Sequence, residues 1–309
     1  MNSLIEKINE ENVLFFDIET ASKFPSLEED SRDFELFQKK CKNKDSDDYP
    51  DFFETNEMYK KWAPLRLTYN QIVSIGVGMI VKGKPCIKVL TGKEEDILRE
   101  FAKITSKFEY LCGVNILKFD LPIISVQSSK YFRLSEIMPD KFIVSNKKPW
   151  QLDKVVDLLD VFQGTNMMFT PSLDEMCNHF GIDSPKEGLD GSEVSVEFHT
   201  NGIEKIAKYS QADLKATINL FKAIRFEGRF SDDDFQIRGE EQPATDAKEE
   251  SLLEVIRRTG IISKDQKAQL IAMFTGVVES EVRQGADLVK AAYLTIKGKK
   301  AENEAKGLS

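Results

Sequence analysis

Two acidic residues interrupt an apolar run near the start of the chain. Residues 15–20 read FFDIET and follow Val13 and Leu14, so a stretch with the composition of a buried strand carries Asp17 and Glu19. Side chains alternate across a strand, so residues two apart lie on the same face and these two carboxylates point the same way. Ionised carboxylates are rarely buried without a partner. The pattern therefore predicts that something compensates this pair.

Two further acidic positions lie in comparable surroundings. Asp120 lies within CGVNILKFDLPII, just beyond the end of a predicted strand and near the start of a helix. Tyr209 and Asp213 are four residues apart in the most regular predicted helix, and this spacing places them on one face. The chain thus offers four separated carboxylates and one tyrosine hydroxyl.

Four carboxylates at one point would repel one another, and each close pair would disfavour ionisation. Divalent cations remove this difficulty, because Mg²⁺ prefers oxygen ligands and retains waters that phosphate oxygens can replace. Two such ions about 4 Å apart activate a water and stabilise the leaving oxygen of an in-line phosphoryl displacement. A tyrosine hydroxyl beside the last aspartate could orient or deprotonate that water.

Other chemically capable residues have simpler interpretations. Asp157 and Asp160, in VVDLLDVF, are rival carboxylates, and we interpret them as structural or as supporting the site. His179 and His199 do not stand at metal-ligand spacing and are predicted to be structural. The cysteines are scattered without a CxxC pair, which predicts no zinc site and favours a reducing compartment.

Composition limits the class of protein. The 309 residues carry a formal net charge of −9, so no global basic field attracts nucleic acid. A nuclease nevertheless needs only a local basic groove, and its metal site is itself acidic. The first residues have no signal-peptide core, and no apolar run reaches membrane-spanning length. We therefore expect a soluble intracellular protein without a membrane partner.

The elements that must position these acids follow from hydrophobic periodicity and turn residues. Beyond the strand at FFDIET, the predicted strands are 71–83, 84–92, 109–115 and 154–162, and the predicted helices are 94–108, 121–132, 172–182 and 202–226. This order predicts an α/β domain with a mixed sheet flanked by helices. Residues 21–69 are predicted to be a helical insertion beside the first strand.

The composition changes near residue 231. Residues 231–250 are polar and rich in turn residues, which predicts a linker. Residues 251–309 alternate apolar and charged residues with helical spacing and are predicted to form a helical C-terminal extension. The predicted domain therefore spans residues 1–230.

Three motifs together resemble a known family. FFDIET, N-x-x-x-F-D-x-P and Y-x-x-x-D look like the exonuclease motifs of the DEDDy class of 3′-5′ exonucleases. The residues that carry the second and third motifs are Asn115, Phe119, Asp120, Pro122, Tyr209 and Asp213. Residues 11–226 are similar to the proofreading domains of family B DNA polymerases and to stand-alone polymerase-B-like exonucleases of bacteria and phages. The DEDDh branch has histidine where this chain has Lys208.

The resemblance implies a ribonuclease H-like fold and a role for each acid. Asp17, Glu19 and Asp213 are implied to bind one metal ion, with Asp17 shared with a second ion. Asp120 is implied to act on the second ion through water, and Tyr209 to contact the attacking water. The implied cofactors are two Mg²⁺ or Mn²⁺ ions.

The same resemblance implies a substrate. We expect the protein to hydrolyse single-stranded or frayed DNA 3′ ends and release 5′-mononucleotides, in replication or repair. Asn115 and Phe119 are candidate substrate contacts, although Asn115 is better explained as a tie within the loop backbone and Phe119 suits a core position equally well. The expected compartment is the cytoplasm of a bacterium, or of the host if the source is a phage.

Alternatives remain open at this stage. An exoribonuclease acting on short RNA would use the same motifs, because nothing in them separates ribose from deoxyribose. A nucleic-acid-binding replication accessory protein with a degenerate site is a third hypothesis, which the complete set of acids opposes. The C-terminal helices are expected either to dock on the nuclease domain or to bind a replication protein or a second copy of the chain.

Overall fold

A mixed β-sheet lies at the centre of the described part of the protein. The computed structural model describes residues 5–41, 49–144, 147–148, 151–164, 170–183 and 189–238. The strands are β1 (Val13–Ser22), β2 (Asn70–Val81), β3 (Lys84–Thr91), β4 (Tyr110–Gly113), β5 (Val155–Asp157) and β6 (Gln236–Arg238). Within the described ranges they form one six-stranded sheet in the order β5-β4-β1-β2-β3-β6.

The strand directions define the fold class. β1, β2 and β3 pair antiparallel, whereas β4 and β5 run parallel to β1 on its other side. The helices are α1 (Arg32–Cys41), α2 (Phe52–Trp62), α3 (Glu94–Thr105), α4 (Asp120–Ser128), α5 (Leu134–Ile137), α6 (Leu158–Gln163), α7 (Leu173–Phe180), α8 (Val194–Asn201) and α9 (Glu204–Ile224). The predicted α/β mixed sheet flanked by helices is confirmed.

Alternating side chains of β1 build a core on each face of the sheet. Leu14 and Phe16 pack with residues of α3 and α4 on one face. Val13 and Phe15 pack with residues of α7 and α9 on the other, where the Phe15 ring meets the Phe221 ring edge-on at 5.1 Å. Because both faces are covered, β1 is buried along nearly its whole length.

A tight turn joins β2 to β3, at the boundary between the predicted strands 71–83 and 84–92. Lys82 and Gly83 have φ angles of 51° and 74°. Two successive left-handed residues give the tight turn whose twist matches that of the flanking strands.

Two glycines of β2 allow α9 to lie close to the sheet. A Cβ on Gly76 would come within 2.5 Å of Ser210 Oγ and 2.7 Å of Leu214 Cδ1. A Cβ on Gly78 would come within 2.9 Å of Ile218 Cδ1. The sequence GVG therefore provides a smooth strand surface against which the helix packs.

The prediction of a strand over residues 154–162 is wrong in its second half. The strand ends at Asp157, and α6 begins at the next residue. The Asp157 carboxylate accepts the backbone N–H of Leu159 at 3.1 Å, so it caps the helix that follows. A short buried strand and a buried helical turn have the same apolar composition, which is why periodicity did not separate them.

The predicted linker over residues 231–250 is also partly wrong. A 3-10 turn spans Asp232–Asp234, and β6 pairs in parallel with β3 from Cys86 to Lys88. A three-residue strand has too few residues for a periodic signal, so its partner strand determines its conformation. The predicted C-terminal extension, residues 251–309, lies outside the described residues.

Helix α8 was not predicted. Its sequence VSVEFHTN contains two β-branched valines and lacks an apolar stripe, so helical periodicity is weak. Contacts with the end of β1 hold it in place instead. The Ser195 hydroxyl accepts the backbone N–H of Ser22 at 3.0 Å, and His199 Nε2 lies 3.0 Å from the Ser22 carbonyl. The structural role predicted for His199 agrees with these contacts.

The predicted insertion, residues 21–69, contains α1 and α2, which have a small core of their own. Helix α2 begins with a capping box in which Asp51 and Glu54 bond each other's backbone N–H. The apolar residues that fill this core are Leu27, Phe34, Phe37, Tyr59, Ala63 and Tyr69.

Among the described helices, none combines the length and apolarity needed to cross a bilayer.

Candidate active site

Strand β1 presents Asp17 and Glu19 to the face covered by α9. Asp17 pairs with Gly76 and Glu19 with Ser74 in the antiparallel ladder. The register shifts between Glu19 and Thr20, so an irregularity follows the second acid directly. Glu19 is buried and Asp17 is half-buried. The same-face arrangement expected from the alternation is therefore present.

Helix α9 brings the third carboxylate to this face. Its close approach over Gly76 places Asp213, which is 9% exposed, next to β1. One carboxylate oxygen each of Asp17, Glu19 and Asp213 lies within 4.8 Å of the other two. Residues separated by almost two hundred positions thus form one acidic cluster.

Asp120 reaches β1 from the side of β4. Because β4 pairs with β1 only as far as Phe15, the backbone of β1 beyond that point is free of strand pairing on this edge. Asp120, the first residue of α4, fills the gap, and its Oδ1 accepts the N–H of Ile18 at 3.1 Å. Asp120 does not belong to the cluster formed by Asp17, Glu19 and Asp213. It is nevertheless close enough that its charge, in addition to burial, raises the pKa of Asp17 and of Glu19.

The electrostatics of the cluster call for positive charge. Burial raises the pKa of Asp17 well above its usual value, and the charge of Asp120 adds to this effect. Burial likewise raises the pKa of Glu19, with contributions from Asp17, Asp213 and Asp120. Burial raises the pKa of Asp120 to about 7. A cation among these groups would restore their ionised forms.

The donor set fits a hard divalent cation. All three clustered ligands are carboxylates, without histidine or cysteine, and such oxygen sets suit Mg²⁺, Ca²⁺ and Mn²⁺. Two buried hydroxyls adjoin the cluster: Ser74 lies opposite Glu19, and Ser210 lies on α9 against β2. Neither has a hydrogen-bond partner among the described residues, as expected for groups that meet ligand-bound water. No sequence signal marked these two serines.

Tyr209 lies beside Asp213, as the four-residue spacing predicted. Burial raises the pKa of the Tyr209 hydroxyl far above its usual value. The charges of Asp213, Glu19 and Asp17 and a hydrogen bond to Asp213 act in the same direction. The Tyr209 hydroxyl therefore stays protonated near neutral pH and donates a hydrogen bond to the Asp213 carboxylate.

Asn115 and Phe119 lie in the turn that joins β4 to α4. Asn115 has a φ of 61°, a left-handed conformation that asparagine tolerates better than most residues. Its carbonyl accepts the N–H groups of Lys118 and Phe119 at 3.2 and 3.1 Å. Phe119 is half-buried and packs on the core beneath α4. Backbone geometry thus accounts for the asparagine, and the substrate contacts of both residues stay predictions.

The rival carboxylates have different surroundings. Asp160 is exposed and lies 3.6 Å from Lys118 Nζ. Asp157 is 3% exposed and accepts backbone N–H groups of the β4–α4 turn. Neither belongs to the acidic cluster.

This combination of a mixed α/β sheet and a carboxylate cluster on its central strand is that of a nuclease-like domain. The chain belongs to the family described as "Predicted 3'-5' exonuclease related to the exonuclease domain of PolB", whose model matches residues 63–252. The matched range contains Asp120, Tyr209 and Asp213 and begins after Asp17 and Glu19. The structure brings these two acids to the other three residues.

Among solved structures, the chain is similar to the family B DNA polymerase from the hyperthermophilic archaeon Pyrobaculum calidifontis. The identity is 15% and the TM-score 0.41, and the match covers 66% of this chain. It spans 23% of the length of that polymerase. No curated protein matches the chain.

Proposed function

We propose that the protein is a metal-dependent 3′-5′ exonuclease that hydrolyses phosphodiester bonds at DNA 3′ ends and releases 5′-mononucleotides. The observation that carries this proposal is the meeting of Asp17, Glu19 and Asp213 within 4.8 Å, with Asp120 and Tyr209 beside them. Membership in a family of predicted 3′-5′ exonucleases supports the reaction and its polarity.

Asp17, Glu19 and Asp213 are the residues that would hold Mg²⁺ or Mn²⁺. When bound, the ions supply Lewis acidity that neutralises the phosphate and lowers the pKa of an attacking water. In the reaction, the water oxygen bonds to phosphorus as the bond to the 3′ oxygen of the preceding nucleotide breaks. The products are a 5′-mononucleotide and a strand with a new 3′ hydroxyl.

The remaining residues act on position and protons. The Tyr209 hydroxyl donates a hydrogen bond to Asp213, so the lone pairs of its oxygen are available to hold the attacking water. Asp120 is held at the β1 edge by the hydrogen bond that its Oδ1 accepts from the N–H of Ile18, and from there it would act on the site through a bridging water. Neither residue needs to act as a strong base, because the metal activates the water.

A time course on end-labelled oligonucleotides tests the proposal. Single-stranded and duplex DNA and RNA, labelled at the 5′ end, are incubated with Mg²⁺, Mn²⁺ or a chelator. We expect a descending ladder on single-stranded DNA that requires metal and is absent with Asp213→Asn. Direct release of a labelled mononucleotide would reverse the polarity, and binding without shortening would overturn the enzymatic assignment. Faster shortening of RNA would instead select the exoribonuclease alternative.

A further inference from the structure

Asp157 is a buried acid that the proposed reaction does not use. It is the last residue of β5 and pairs with Gly113, the last residue of β4. Its Oδ1 accepts the N–H groups of Asn115 at 2.8 Å and Leu159 at 3.1 Å, and its Oδ2 accepts that of Leu117 at 3.0 Å. One carboxylate therefore joins the start of α6 to the turn that follows β4.

The turn held by Asp157 leads directly to Asp120. It folds tightly back on the sheet, since a Cβ on Gly113 would lie 2.4 Å from Ile116 Cγ2 and 2.6 Å from the Phe16 carbonyl. The Ile116 carbonyl accepts the N–H of Leu121 at 2.9 Å, so the turn passes without a break into α4. The position of Asp120 at the edge of β1 thus depends on where this turn is fixed.

The type of side chain matters at this position. The three N–H groups approach two different oxygens, so both terminal atoms of the side chain must be hydrogen-bond acceptors. Asparagine has the same shape but only one accepting oxygen. Its amide NH₂ group would face at least one of the three backbone N–H groups, and two donors cannot form a hydrogen bond. An unpaired buried donor is costly, so the turn would move to relieve it.

We propose that Asp157 is a positioning residue for the nuclease site, which sets the distance of Asp120 from Asp17 and Glu19 by holding the Asn115–Leu117 turn. The inference rests on the proposed function. Asp157 contacts backbone groups of the turn and not the Asp120 carboxylate, so it positions Asp120 indirectly; in addition to burial, its charge raises the pKa of Asp120. Outer contacts of this kind change metal affinity or activity by about 10- to 100-fold.

The backbone amide of Ile18 reports this effect independently of activity. In ¹H–¹⁵N spectra of the metal-free protein, Asp120→Asn should move the Ile18 amide signal, because its acceptor changes. Asp157→Asn should move the same signal in the same direction. Asp153→Asn, an exposed acid that lies just before β5 and has no contact with the turn among the described residues, is the matched control and should leave it in place. An unmoved Ile18 signal in Asp157→Asn would overturn the inference even if the protein had no nuclease activity.

Kinetics complete the test. We expect Asp157→Asn to lower kcat about 10- to 100-fold with little change in KM. The Asp120→Asn/Asp157→Asn double variant should be no slower than Asp120→Asn alone, because one residue acts through the other. If the two losses multiply, Asp157 acts elsewhere and the inference fails. If Asp157→Asn does not fold, Asp157→Glu keeps both oxygens and must show the same shift of Ile18.

Discussion

The Asp120 carboxylate accepts the backbone N–H of Ile18, the residue between Asp17 and Glu19, at 3.1 Å. This hydrogen bond crosses from the first residue of a helix to the open edge of the central strand. It replaces the pairing that β4 does not provide and places a carboxylate beside the acidic pair. The fourth acid of the site therefore also completes the hydrogen bonding of β1.

Removing a carboxylate of the cluster should abolish nuclease activity without unfolding the protein. We expect Asp17→Asn or Asp213→Asn to lower the rate by at least about 10²- to 10³-fold, because pre-organised charge at the reacting phosphate is lost. The metal-free protein should become slightly more stable, since burial and repulsion disfavour these charges. Rates on single-stranded DNA and thermal unfolding measure both effects. Glu204→Gln, an exposed acid on α9, is the control, and wild-type turnover in either site variant would contradict the assignment.

Tyr209→Phe should be milder. The variant loses the hydroxyl that holds the water but retains every carboxylate, so we expect a loss of about 10- to 100-fold, below the effect of an aspartate variant. Metal-dependent rates at saturating Mg²⁺ measure this difference. A loss as large as that of Asp213→Asn would show that the hydroxyl does more than position water.

The stability of the metal-free protein should depend on pH through the acidic site. The pKa of Asp120 is raised from 3.8 to about 7 in the folded state, so between these values the folded protein binds more protons than the unfolded chain. Its contribution to the free energy of unfolding therefore falls as pH rises from about 4 to about 7, by up to about 1.4 kcal/mol per pH unit for one proton. Melting curves of wild type and Asp120→Asn in chelator, from pH 5 to 8, isolate this dependence.

The melting temperature of the wild type, relative to that of Asp120→Asn, should therefore fall as pH rises. Adding Mg²⁺ above pH 7 should raise the melting temperature of the wild type, because a cation binds only the folded cluster. If the melting temperature of the wild type relative to Asp120→Asn rose with pH instead, burial would not be destabilising the ionised Asp120 carboxylate.

A side chain on Gly76 should push α9 away from β2. Gly76→Ala would bring a methyl group within 2.5 Å of Ser210 Oγ and 2.7 Å of Leu214 Cδ1, and overpacking of this kind costs about 1–3 kcal/mol. Because the displacement also moves Asp213, activity should fall together with stability. Gly228→Ala is the control, since its Cβ meets open space. Denaturant unfolding and rates on single-stranded DNA decide the outcome.

The sequence predicted which acidic residues share a face because they stand in strong local contexts. Asp17 and Glu19 break an apolar strand, and Tyr209 and Asp213 keep helical spacing, so their shared faces follow from backbone geometry alone. The helix predicted over residues 172–182 is confirmed as α7, in which Ser172 and Glu175 form a capping box and Gly181 ends the helix in the left-handed conformation.

What the sequence could not give depends on tertiary contacts. The boundary between β5 and α6 lies at Asp157, whose carboxylate serves a turn more than forty residues away. Strand β6 exists because β3 offers an edge, and α8 is held through Ser195 and His199. In each case a distant partner overrides a weak local preference, and no window of the sequence contains that partner.

The shift in register after Glu19 divides β1 into a part that carries the acidic residues and a part that leads into the next segment. Upstream of it, the ladder from Phe15 to Glu19 fixes the acids opposite Ser74 and Gly76; downstream, Thr20 to Ser22 follow a shifted register that leads into the α1–α2 segment. We therefore expect changes in the length of that segment to be absorbed beyond the offset, without displacing the carboxylates of Asp17 and Glu19.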